Sequence, residues 1–415
     1  MAGAFQLPPS FVLGFGPEGS TGKVEYRMRR LTFGLTLVLL CGAEPAAAQT
    51  AAIQAAPAPE RAVPKPAKKP TAKKPTAKKP PPKPSPIARE LFGAATAPAP
   101  LAARSIGGYA KGCLAGGVSL PINGPDWQVM RLSRNRNWGN PRLLDYLERL
   151  ASDARAHDGW PGLLVGDMSQ PRGGPMLTGH TSHQIGLDAD IWLTPMPDHV
   201  LTPEEREDMS AVSMLKDPFT VDPTVFTLLH VKLIKRAASY PQVARIFVHP
   251  AIKKALCQQA AQVGKERAWL GKVRPWWNHH YHFHVRLACP PGTAGCDGQK
   301  PVTGDDGCGQ ELANWYAMLK KAAIEMAKPP RPGAKPWVGK PPLRMAQLPK
   351  ECGSVLTAGG FEPPIPKEGD VPTALAAMAT KDAGPPVPVL TDAQLKALTG
   401  NAGGDVPLPD RNPMR

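Results

Sequence analysis

Two stretches, about a hundred residues apart, alternate polar with apolar side chains and together hold six of the chain's ten histidines. The first runs Gly179-His180-Thr181-Ser182-His183-Gln184-Ile185-Gly186-Leu187-Asp188-Ala189-Asp190-Ile191-Trp192. From Gly186 to Leu193 it reads as a strand. Leu187, Ala189, Ile191 and Leu193 share one face, and Asp188 and Asp190 share the other. Gly186 lets the chain leave a loop and enter that strand, so His183 and Asp190 can face one point. The second stretch is Trp276-Trp277-Asn278-His279-His280-Tyr281-His282-Phe283-His284-Val285-Arg286-Leu287. Here His282, His284 and Arg286 point one way, and Phe283, Val285 and Leu287 the other. Two histidines and one carboxylate fit a catalytic zinc site, which takes three protein ligands and keeps a fourth position for water.

Prolines bound the part of the chain that can fold. There are 51 in 415 residues, more than twice ordinary usage of about 5%, and they crowd at the two ends. Residues 1–48 read as an N-terminal extension and a signal peptide. Met28-Arg29-Arg30 precedes a short apolar run, and Ala46-Ala47-Ala48 offers a cleavage site after Ala48. The run is too short to span a membrane, and Leu40-Cys41 is a poor lipidation site. Residues 49–102 are a Pro/Lys/Ala-rich linker in which Ala-Lys-Lys-Pro-Thr recurs. Ten positive charges and no acid lie between Arg61 and Arg89, which leaves +6 of the net +16 for the rest. The linker reads first as a tether and second as an electrostatic hold on anionic envelope polymers. Its segregated charge and the export signal argue against nucleic acid as a partner. A folded domain is expected over 103–357, followed by a disordered proline-rich tail over 358–415.

Within the domain, helices are expected over Pro141–Arg155, with Asn140 as N-cap and Leu143, Leu144, Leu147 and Leu150 as the apolar stripe. Others are expected over 202–214, 223–239, 250–264 and 310–320. Strands are expected over 163–167 and 243–248, and a loop over 269–277. The interleaving predicts an α+β fold with a small, mostly antiparallel sheet and flanking helices. Six of the seven cysteines remain once Cys41 is set aside with the signal. An even number without a CxxC pair suggests three disulfides and an oxidising compartment.

These residues resemble the penicillin-insensitive murein endopeptidases, zinc peptidases related to lysostaphin-type and D-Ala-D-Ala-type enzymes. The resemblance covers roughly 105–352. It rests on Gly166-Asp167-Met168-Ser169, the Gly179–Trp192 stretch, and Trp276-Trp277 with His279, His282 and His284. It implies a metal held by His183, Asp190 and His284, with His180, Asp217, His279 and His282 around it. It also implies disulfides Cys113–Cys352, Cys257–Cys308 and Cys289–Cys296, and hydrolysis of peptidoglycan cross-links in the periplasm.

On the residues alone, His282 is the first choice as general base, since it shares a strand face with His284, and His279 the second, as base or oxyanion donor. There is no HExxH. His180 reads as an outer partner of the ligands or a ligand to a second metal. Asp188 is as apt to orient a histidine as to bind metal. Asp217 reads equally as a helix-end carboxylate. Trp276, Trp277 and Arg286 are groove lining or plain packing. His157, His199, His230 and His249 are read as satisfied surface or half-buried histidines. The alternatives to a periplasmic zinc endopeptidase are a carboxypeptidase trimming terminal D-Ala and a non-catalytic peptidoglycan-binding protein with structural zinc.

Overall fold

The computed structural model describes residues 85–302, 304–328, 341–364 and 384–399. The expected signal segment 1–48 and the repeats of the linker lie outside the described residues, as does most of the 358–415 tail.

A six-stranded sheet organises the domain. Its strands are β1 (Trp127–Val129), β2 (Leu163–Val165), β3 (Asp188–Trp192), β4 (Val243–Val248), β5 (Val273–Pro275) and β6 (His282–Leu287). They lie in the order β5-β4-β6-β3-β2-β1. The central pairs, β4 with β6, β6 with β3 and β3 with β2, are antiparallel, and the two edge pairs are parallel. The two histidine-bearing stretches thus become adjacent strands. In their register His284 is opposite Asp190 and Arg286 opposite Asp188. The apolar faces, Leu187, Ala189 and Ile191 with Phe283, Val285 and Leu287, are fully buried in the main core. Truncating a side chain such as Phe283 there to alanine costs about 3–5 kcal/mol.

The helix Pro141–Asp158 packs in the same core through Leu143, Leu144, Leu147 and Leu150. The Asn140 side chain accepts the Arg142 N–H at 3.2 Å, and Gly159, at φ 76°, ends the helix in the left-handed region that favours glycine. The α+β class, the mostly antiparallel central sheet and the three disulfides agree with the expectation, including each pairing. Cys113–Cys352 joins the hairpin Arg104–Ala115 to the helix Glu351–Thr357, inside a second core with Leu91, Phe92, Ile106 and Val355.

Several expected elements differ. The helix expected over 202–214 covers only Pro203–Asp208, opened by a Thr202/Glu205 capping box. Beyond it, the N–H of Val212 goes to Thr194 Oγ1 and that of Met214 to the His280 carbonyl, which leaves no helical ladder. The 223–239 helix begins at Leu228, because His230 Nδ1 accepts the Thr227 N–H and caps it there. The 250–264 helix tightens to a 3-10 turn after Gln259. The expected loop 269–277 contains the helix Ala268–Lys272 and edge strand β5. The 310–320 helix runs on to Ala327. Inside the stretch expected to be linker, Ala88–Gly93 is a helix with Leu91 and Phe92 buried. Inside the expected tail, Asp392–Thr399 is helical. Among the described residues no helix is long and apolar enough to cross a membrane.

Candidate metal centre

Cross-strand pairing brings the polar faces of β3 and β6 together, and the loop before β3 adds His183 above them. His183 Nε2 is 3.5 Å from Asp190 Oδ1 and 3.1 Å from His284 Nδ1, and His284 Nδ1 is 3.1 Å from Asp190 Oδ1. Zinc with tetrahedral bonds of about 2.0–2.1 Å holds its ligand atoms about 3.4 Å apart, so these three atoms have the spacing of one face of such a site. All three side chains are buried, and Asp190 Oδ1 has no hydrogen-bond partner. A buried carboxylate oxygen without a donor is costly unless a cation faces it. The donor atoms, two imidazole nitrogens and one carboxylate oxygen, suit a first-row divalent metal.

His180 belongs to the same cluster: one atom each of His180, His183 and Asp190 lie within 4.8 Å of one another. Two trios therefore share His183 and Asp190. In the trio with His284 each pair of facing atoms lies within 3.5 Å. His180 is partly exposed, and its Nε2 is already engaged by Asp167 Oδ2 at 3.0 Å.

Asp188 holds the trio in place. Its Oδ2 accepts the His183 N–H at 3.0 Å, and its two oxygens take Nε and Nη2 of Arg286 at 2.7 and 3.2 Å. Its Oδ1 lies 3.1 Å from His284 Nε2, which leaves Nδ1 of that ring to face Asp190. His183 sits at φ 69°, a left-handed conformation unusual for a residue other than glycine. The Asp188 carboxylate pins it there. Burial opposes the Asp188 charge, but Arg286, His284 and His183 outweigh it and hold the carboxyl well below its ordinary range.

The histidines divide by surroundings. Burial pushes His183 down to about 4, against the pull of Asp190. Burial likewise takes His282 to about 4 and, with His282 and His284 beside it, holds His279 well below its ordinary value. His284 goes the other way: burial lowers it, but Asp188 and Asp190 together raise it. In Asp190 burial is overcome by His282, His183 and His180, so the carboxylate stays ionised.

His279 donates its Nδ1–H to the Trp277 carbonyl at 2.5 Å, so its Nε2 is an acceptor. It lines, with His284, Trp276 and Arg286, a cavity of about 660 Å³ beside the trio. His282 Nε2 is 3.6 Å from Asp190 Oδ2, and its Nδ1 is buried without a partner.

A protein-family model described as penicillin-insensitive murein endopeptidase matches residues 105–357. The chain belongs to that family. A relative of that name from Haemophilus influenzae is 44% identical over 258 residues, which is 62% of this chain and 83% of the relative. One from Klebsiella pneumoniae subsp. pneumoniae is 40% identical over 255 residues, covering 61% of this chain and 86% of the relative. One from Yersinia pestis bv. Antiqua is 41% identical over 255 residues, covering 61% and 85%.

Within this murein endopeptidase family member, Asp217 stands apart from the contacts that knit the cluster. Its Oδ1 accepts the N–H groups of Phe219 and Thr220, and its Oδ2 the Thr220 hydroxyl, all within its own hairpin. Asp167, quoted above only as part of a motif, has a larger part than the sequence alone indicates. It is buried, and its Oδ2 takes Arg136 Nη1 at 2.8 Å, Arg134 Nη1 at 3.1 Å and His180 Nε2. The signal was its place between buried β2 and a glycine-rich loop. Of the four histidines expected to be surface or half-buried, His230 and His249 are instead buried. His230 caps a helix and its Nε2 reaches the Leu193 carbonyl, His249 Nδ1 accepts the Ala251 N–H, and His157 and His199 are exposed.

Proposed function

We propose that this enzyme is a periplasmic zinc endopeptidase that hydrolyses the D-alanyl–diaminopimelate cross-links of peptidoglycan. The convergence of His183 Nε2, Asp190 Oδ1 and His284 Nδ1, with that oxygen lacking a hydrogen bond, carries the metal part of the reading. Family membership carries the substrate. Three disulfides and a signal segment ending at Ala48 support export to an oxidising compartment.

His183, Asp190 and His284 would hold the ion. When bound, zinc supplies Lewis acidity to the scissile carbonyl and to an attacking water. His279 is the favoured proton acceptor over His282. Its tautomer is set by the Trp277 carbonyl, and its ring, unlike that of His282, lines the cavity. Its Nε2, left as the acceptor nitrogen, can take the proton of the attacking water and return it to the leaving amine. Asp188 keeps His183 and His284 oriented, and Asp167 does the same for His180. His180, partly exposed, has its Nδ1 3.4 Å from Asp190 Oδ2 and would steady that carboxylate.

The test combines metal content with muropeptide products for the chain beginning at Gln49. About one zinc per chain and conversion of cross-linked dimers to monomers, unaffected by penicillin, are expected. Folded His284→Ala protein should retain neither. Release of single alanines would instead make it a carboxypeptidase. A His284→Ala chain that simply unfolds, with no hydrolysis by the parent, would make the zinc structural and the protein a binder.

A further inference from the structure

The sheet face that carries the metal ligands continues past them. His284 on β6 is opposite Phe247 on β4, and Arg286 is opposite Arg245. Two residues of strand separate these rows by about 7 Å. Both rows border the cavity that also reaches His279, Trp276, Arg274 and Trp315.

The three arginines of this cavity are not equivalent. Arg286 is committed to Asp188 through two hydrogen bonds and stacks 4.2 Å over the Tyr109 ring. Arg274 pairs with Glu311. Arg245 has neutral partners: it donates from Nη1 to Gln299 Oε1 at 2.7 Å and from Nη2 to the Lys300 carbonyl at 2.8 Å. Among the described residues no carboxylate pairs with it. It is half-buried, and burial, Arg286 and Arg274 all disfavour its charge. A planar cation held by neutral anchors, crowded by other cations and open to a cavity beside the reacting centre, is arranged for an anion that arrives with the substrate.

We propose that Arg245, supported by Arg274, forms a subsite that takes a free carboxylate of the peptide stem one or two residue lengths from the scissile amide. The inference rests on the endopeptidase reading. An extended peptide advances about 3.3–3.6 Å per residue, so the row spacing matches that separation. Diaminopimelate on the amine side of the cross-link carries such a carboxylate, and an amidated stem lacks it.

The experiment compares two synthetic cross-linked stem dimers, one with free carboxylates on the amine side and one with those groups amidated. The full-length, zinc-loaded chain should favour the free acid by about 10- to 100-fold in kcat/KM. Arg245→Gln should bring that ratio close to one, and Arg245→Lys should keep part of it. Equal rates for the parent enzyme, or an unchanged preference in Arg245→Gln, would overturn the subsite. The parent comparison needs no variant, so a misfolded glutamine protein leaves the question answerable. Calorimetry with the uncross-linked stem in both forms separates the two ideas. If neither dimer is cut yet the free acid binds more tightly than the amide, and Arg245→Gln abolishes the difference, the subsite stands and the hydrolytic reading falls. Cleavage indifferent to amidation has the opposite meaning.

Discussion

Asp188→Asn removes one charge from the point where the sheet and the histidine loop are tied together. The native carboxylate meets the His183 N–H, two nitrogens of Arg286 and His284 Nε2 within 3.2 Å. Asparagine keeps one acceptor oxygen and turns its NH2 toward a donor, so the buried Arg286 guanidinium loses its counter-ion. Breaking a buried ion pair from one side costs about 3–5 kcal/mol. In a domain of this size each kcal/mol moves the thermal midpoint about 2–4 °C, so the chelator-treated protein should melt about 6–20 °C lower. Loosening the partner of a metal-binding histidine costs about 10- to 100-fold in metal affinity. Thermal unfolding by circular dichroism and zinc titration against a competing chromophoric chelator read the two effects separately. Adding Arg286→Met removes the orphaned cation and should restore much of the stability but none of the zinc affinity. A single variant that melts within about 2 °C of the parent and binds zinc equally well would refute this account of how the centre is held.

Other perturbations follow from the same geometry. His279→Gln should lower kcat by about 10²- to 10⁴-fold while leaving zinc content intact, as measured by turnover beside metal analysis. His249, pushed to about 3 by burial and then by His280, stays neutral in the fold while the unfolded chain takes up a proton near 6.5. The unfolded state therefore binds more protons between those values. The stability that His249 contributes is complete above pH 6.5 and is lost as the pH falls toward 3, so urea midpoints should drop across that window and drop less in His249→Gln. Zinc must displace protons from the imidazoles, including the one that Asp188 and Asp190 favour on His284, so affinity should rise with pH in the chelator titration. Cys113→Ser with Cys352→Ser should cost about 2–5 kcal/mol in chemical unfolding.

The site was legible where side-chain parity carried it. Asp190 and His284 occupy like faces of two period-two segments, and the sheet had to pair those segments to bury Leu187, Ala189, Phe283 and Val285 together. Groups without periodicity were harder to read. Asp167 is one carboxylate in a loop, and its meaning depends on Arg134, Arg136 and His180 arriving from elsewhere. Arg245 is the single polar residue of an otherwise apolar strand, and its meaning waits on its place opposite Arg286. Strand β5 is three residues ending in proline, too short to show a period, and exists because β4 offers it a parallel edge. Asp217 was carried by resemblance alone, and its own turn occupies it.

The Cys113–Cys352 bond joins positions 239 residues apart and sits in the core shared by the first hairpin and the last helix of the domain. Arg172, in the loop that leads toward His180 and His183, reaches across to the carbonyls of Val355, Leu356 and Ala358 at the end of that helix. A ribosome releases Cys113 long before its mate. Until the late helix emerges and the thiols are oxidised, the loop bearing His183 lacks its buttress. The loop that carries His180 and His183 is therefore braced by a part of the chain that is made more than two hundred residues later than Cys113.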